Sequence, residues 1–220
     1  MQRHFDEELS DLKKEILCMG SLVQDSIHKA VDALKEMSSE KAKQEIAEDR
    51  QVDELELKIE EKCLDLLALR QPMAADLRFI VMAMKMTTDL ERIADLSVDI
   101  AQRVLELAGK PLLKPLTDIP KMTALCRQMI EDVINAFIKK DMELAKKVIL
   151  TDSEVDALKH HIQTELIYEY MAKDPSTAPR AMPLLLASRH LERICDHLTN
   201  IAEDVIYIHT GRIVRHVRTA

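Results

Sequence analysis

The chain has 220 residues, a formal net charge of −8, 47% hydrophobic but only 3% aromatic residues, and three glycines. That hydrophobic share is enough for a packed core and excludes a disordered chain. The negative charge excludes a general nucleic-acid binder, which needs basic surface to meet phosphates. The apolar residues are Leu, Ile, Val, Ala and Met, and the 32% charged residues are rich in helix-favouring Glu and Lys, so the composition predicts an all-α protein.

Taken in order, the apolar periodicity predicts six helices. The first spans about residues 5–37, with Leu9, Leu12, Ile16, Met19, Val23, Ile27, Ala30 and Leu34 spaced by three and four. Ser38-Ser39-Glu40 supplies a break with N-cap chemistry. The second helix runs to about residue 69 through Ile46, Val52, Leu55, Ile59, Cys63 and Leu66, and Pro72 ends the pattern. The third covers residues 73–108. Gly109, Pro111, Pro115 and Pro120 then interrupt the pattern, because proline cannot continue a helix interior and glycine favours a helix end. The fourth helix is expected over 121–139. The fifth follows Asp141 to about residue 171, a loop covers Asp174 to Pro179, and the sixth spans 183–209 with Gly211 beyond it. Three helices with short links make an antiparallel bundle. The expected architecture is therefore two tandem three-helix bundles, over residues 1–110 and 117–214.

An internal duplication supports that division. Leu90-Glu91-Arg92-Ile93-Ala94-Asp95 recurs as Leu191-Glu192-Arg193-Ile194-Cys195-Asp196, and Asp99-Ile100-Ala101 recurs as Asn200-Ile201-Ala202. At about 100° per residue, Leu90, Ile93, Ser97, Ile100 and Val104 share a face, as do Leu191, Ile194, Leu198, Ile201 and Val205. Glu91, Asp95 and Asp99, and likewise Glu192, Asp196 and Asn200, form a polar column on nearly the opposite side. The middle helices repeat as well: both contain Asp-x-x-Val-Asp, giving Asp49 with Asp53 and Asp152 with Asp156.

Carboxylates one helical turn apart repel, at about a few tenths of a kcal/mol per exposed pair. A single such pair is ordinary solvated surface. Its recurrence on two helices in both halves predicts cation binding at Asp49, Asp53, Glu91 and Asp95, and at Asp152, Asp156, Glu192 and Asp196. All-oxygen ligation suits Mg²⁺, Mn²⁺, Ca²⁺ or ferric iron. Arg92 and Arg193 are expected to form surface ion pairs beside these acids.

Other chemistry finds no constellation. Three glycines do not build a phosphate loop, and there is no Gly-x-Ser-x-Gly, His-Glu-x-x-His or Glu-x-x-His. The chain is therefore expected not to be an enzyme. His160, His161 and His197 read as ordinary histidines. Met82, Met84 and Met86 read as core filling. Cys18, Cys63, Cys126 and Cys195 form no CxxC and read as reduced, buried residues. The basic tail with Arg212, Arg215, His216 and Arg218 reads as a solvated end. The first residues lack the apolar core of a signal peptide, and no apolar run reaches the ~20 residues of a membrane span. A soluble, cytoplasmic protein is expected.

The duplicated Leu-Glu-Arg-Ile-x-Asp helices, the Asp-x-x-Val-Asp helices and the segment Gln71-Pro72-Met73-Ala74-Ala75-Asp76-Leu77-Arg78 together resemble the PhoU family over almost the whole chain. The resemblance implies two three-helix bundles related by a pseudo-twofold axis. It also implies multinuclear iron or zinc clusters on the eight carboxylates named above. Asp99 and Asn200 extend the two stripes, and the change from acid to amide implies that the sites differ. The implied function is negative regulation of the phosphate-starvation regulon and of phosphate uptake, as an adaptor between the phosphate ABC transporter and a sensor histidine kinase. Homodimers are implied, as is membrane association only through partners. A carboxylate-bound metal-storage protein or metalloenzyme is the alternative, and a plain bundle whose acids bind nothing a third. Repeat symmetry also suggests the segments 71–76 and 174–180, with Arg78 and Arg180, as partner contacts.

Overall fold

The structure, a computed structural model, describes residues 2–210, with side chains from His4 onward. The basic tail and the end of the second expected bundle, at residue 214, lie outside the described residues. Those described form seven α-helices and no strand: α1 (Gln2–Glu36), α2 (Ser39–Glu48), α3 (Arg50–Arg70), α4 (Ala74–Leu107), α5 (Asp118–Lys139), α6 (Met142–Thr164) and α7 (Ala178–Thr210). The apolar stripes lie in the core as their spacing requires. Leu12, Ile16, Met19, Val23 and Ile27 of α1, Leu90, Ile93 and Ile100 of α4, and Leu191, Ile194 and Ile201 of α7 are all buried.

Several boundaries differ from the sequence reading. The expected second helix is divided at Asp49, where Val52 N–H bonds to the Asp49 carbonyl at 2.8 Å in a tightened turn, without glycine or proline. The fourth begins three residues early, at Asp118, because Pro120 is tolerated in a first turn. The fifth loosens after α6 into a π-helical stretch, Glu165–Met171, in which Ala172 N–H reaches the Ile167 carbonyl at 2.8 Å. The last begins at Ala178 rather than 183. The Asp174 side chain caps a short 3₁₀ turn, Pro175–Thr177, by accepting from Ser176 N–H at 3.0 Å, and α7 follows directly with Pro183 buried inside it.

The turns repeat between halves. Met37 (φ 53°) and Lys140 (φ 60°) adopt the left-handed conformation that closes α1 and α5. The next residues, Ser38 and Asp141, then cap α2 and α6 by accepting from Lys41 N–H and Leu144 N–H. In the linker, Lys114 pairs with Glu165 of the π-helical stretch.

Within the first half α1, α3 and α4 pack on one another, and α5, α6 and α7 do the same in the second. Between the halves, α1 meets α5 and α4 meets α7. These are equivalent helices of the two repeats, the arrangement a pseudo-twofold axis requires. The α4–α7 pair is antiparallel: Lys85 pairs with Asp204, Asp89 with His197 at 2.9 Å, and Asp99 lies 3.6 Å from His190. These contacts bracket the duplicated Leu-Glu-Arg-Ile motifs. At the other pair, a Cβ added to Gly20 of α1 would stand 1.9 Å from Ile134 Cδ1 of α5. The absence of a side chain at Gly20 lets the two helices approach.

Candidate metal-binding faces

In each half the middle and last helices face one another, α3 against α4 and α6 against α7. The acids therefore share an environment. Burial, then the charges of Asp53 and Asp95, push the Asp49 carboxyl up to about 6. Asp95 sits on α4 and Asp49 at the α2–α3 break, so this coupling crosses between helices. Burial, then Asp95, Glu56 and Asp53, raises Glu91 against the opposing pull of Arg92. In the second half, burial followed by Asp156, Asp196 and Glu192 pushes Asp152 up to about 6. Asp196 is raised by burial, Glu192 and Asp156. In each half the four predicted carboxylates thus feel one another's charge across the helix pair.

Asp99 and Asn200 do not join them. Asp99 turns toward α7 and His190, and Asn200 is exposed. Arg92 forms the expected surface ion pairs, at 3.5 Å to Glu91 and 3.2 Å to Asp95. In the second half Lys159, not Arg193, holds the equivalent place, 3.2 Å from Glu192. His161 Nδ1 lies 2.9 Å from Asp118 and His197 Nδ1 2.9 Å from Asp89, as structural partners of α5 and α4.

Two acidic residues escaped the sequence reading. Glu56 is raised by burial, Glu60 and Asp53, and extends the first face along α3. Glu45 is buried, accepts from Ser26 of α1, and is raised chiefly by that burial. Both were signalled by the four-residue spacings Glu45–Asp49–Asp53 and Glu56–Glu60. Glu45 lies against a cleft between α1 and the α2–α3 break that Asp49, Lys29 and Glu48 also line. Lys29 and Glu48 pair at 2.6 Å.

The donor set fits a hard cation in chemistry. It is all oxygen, and Asp49 Oδ1 is buried without a hydrogen-bond partner, as an oxygen awaiting a cation would be. Positive charge would relieve the repulsion that raises Asp49, Glu91, Asp152 and Asp196. Among the described residues, no three His, Cys, Asp or Glu side chains converge closely enough to hold a metal as they stand. Asp53, Asp95, Asp156 and Asp196 are the exposed members of the two sets.

These features define a duplicated, antiparallel helical-bundle protein with one acidic face on each half. A family model described as PhoU domain matches the chain twice, over residues 16–104 and 119–205. The chain is 42% identical over 210 residues to the phosphate-specific transport system accessory protein PhoU homolog of Aquifex aeolicus, covering 96% of this chain and 95% of that one. The crystal structure of PhoU from Pseudomonas aeruginosa superposes with a TM-score of 0.88 at 36% identity, covering 94% of this chain and all of that one. That of the phosphate transport system regulatory protein PhoU from Streptococcus pneumoniae gives 0.87 at 32% identity, over 96% and 99% of the two chains. The chain belongs to the PhoU family.

Proposed function

We propose that this chain is a non-enzymatic regulator of phosphate uptake and of the phosphate-starvation response. The observation that carries the reading is its near-full-length likeness to accessory and regulatory proteins of the phosphate transport system. In this reading it acts as a cytoplasmic adaptor between a phosphate ABC transporter and a sensor histidine kinase, and as a homodimer. It reaches the membrane through those partners; among the described residues no helix is long and apolar enough to cross one. The segments 71–76 and 174–180 offer the partners the exposed residues Met73, Asp76 and Pro175.

The two acidic faces bind cations in the same reading, held by Asp49, Asp53, Glu91 and Asp95 in one half and by Asp152, Asp156, Glu192 and Asp196 in the other. Iron or zinc follows from the family resemblance; Mg²⁺, Mn²⁺ or Ca²⁺ would satisfy the same oxygens. A bound cation would neutralise each cluster and tie α3 to α4 or α6 to α7.

One complementation experiment addresses both parts. Cells lacking this chain, grown with ample phosphate, receive either the wild-type gene or one carrying Asp95→Ala and Asp196→Ala. Wild type is expected to restore repression of alkaline phosphatase. The purified variant is expected to carry less metal than wild type prepared without chelator. Repression that persists in the deleted strain counts against the regulatory role. Equal metal content in the two proteins counts against the site assignment.

A further inference from the structure

Away from the acidic faces, one cleft is lined by cations and by no acid. Arg78 of α4, Lys140 at the end of α5 and His209 near the end of α7 meet there, over apolar walls that include Phe79, Phe137 and Ile208. The two phenyl rings stack at 4.7 Å with planes 8° apart, which fixes the walls of the cleft. In a chain of net charge −8, cations commonly find carboxylates. Arg78 and Lys140 form no ion pair among the described residues. Their field is unneutralised at His209, whose pKa is lowered by burial and then by Lys140 and Arg78.

Such a site is built to accept negative charge. A guanidinium presents a planar fork that matches a tetrahedral oxyanion, and a lysine adds a point charge beside it. The cleft is open to solvent, with a cavity volume of about 90 Å³. We propose that it binds a phosphate group, either as free orthophosphate or as the monoester of a small organic molecule. This site is independent of the carboxylate faces and does not require them to hold metal.

The test is isothermal titration calorimetry on the full chain after metal removal with chelator, so that phosphate cannot bind through a metal. Sodium phosphate and adenosine monophosphate are titrated separately, with sodium chloride matched for ionic strength as the control. Saturable binding of either phosphate compound is expected, and which one saturates identifies the source. Arg78→Ala and Lys140→Gly are each expected to weaken it by about tenfold or more, the usual loss when a charged hydrogen-bond partner is removed. Lys140 sits at φ 60°, so glycine relaxes that backbone while removing the charge. Lys139→Ala, outside the cleft, is expected to bind as wild type does. Amide shifts in the wild-type protein give a readout free of any folding defect, and they are expected at Ala75, Lys140 and His209. Three results would overturn the proposal: no saturable binding of either compound, equal binding by wild type and the Arg78→Ala/Lys140→Gly double variant, or shifts confined to the acidic faces.

Discussion

Asp49 and Asp152 occupy equivalent places in the two halves, and each holds its proton up to about pH 6 when no cation is present. Their unfolded-state value is near 3.8, so between about pH 4 and 6 the folded chain binds more protons than the unfolded one. These two groups therefore add stability as pH falls through that window and withdraw it as pH rises past it. Calorimetry of metal-free protein is expected to show a higher Tm near pH 5 than near pH 7. Asp49→Asn with Asp152→Asn should raise the Tm near pH 7 and flatten the difference; an unchanged profile would refute the cause. The thiols offer a separate check. Cys18 is exposed, whereas Cys63 is pushed up to about 12 by burial and then Glu15, and Cys126 and Cys195 lie buried with sulfurs 3.2 Å apart. Only one thiol per native chain should react quickly with a disulfide reagent, and Cys18→Ser should remove it. At this scale the sequence shows the acid columns plainly, since four-residue spacing is a property of one helix. It does not show that Asp99 turns to His190, nor that Cys126 and Cys195 meet, nor that Arg78, Lys140 and His209 share a cleft. Each of those depends on helices distant along the chain.

Helix extents were legible wherever apolar spacing or glycine and proline mark them, as at Gly109 and Pro72. They were not legible where the signal is tertiary. Asp49 divides α2 from α3 inside a continuous helical pattern, and Met37 and Lys140 close helices in a conformation that usually selects glycine. Pro183 reads as a helix start, yet α7 passes through it, because the preceding residues already have a capped turn to begin from. Gly20 shows the reverse: a glycine within a helical pattern, required by the neighbour it allows. Gly20→Val is expected to cost about 1–3 kcal/mol in urea unfolding, the usual cost of overpacking. Ile134→Ala in the same chain should restore part of that loss, because the two side chains would compete for one space. Additive losses in the double variant would show that α1 and α5 do not touch there.

The whole molecule is two similar bundles packed through like helices, α1 on α5 and α4 on α7. The duplication was readable from the repeated motif; the packing of each repeat against its own copy was not, because the same buried face serves an intrabundle and an interbundle neighbour. A fragment of residues 117–210 would expose the sides of α5 and α7 that α1 and α4 cover. Light scattering after gel filtration is expected to find it associated in pairs or larger assemblies, and a stable monomer would contradict the interface. The same geometry bears on descent. A half-length forerunner, with helices equivalent to α4 and α7 supplied by two identical chains, would have been an obligate symmetric dimer whose two acidic faces could change only together. With the two copies joined through residues 108–117, each face can change alone. The two halves of the present chain differ in this way: Glu56 on the first face stands against Lys159 at the offset that pairs Asp49 with Asp152, and the cation beside the equivalent glutamates is Arg92 in one half and Lys159 in the other. A gene for one half would hold both faces identical; a gene for both lets each differ.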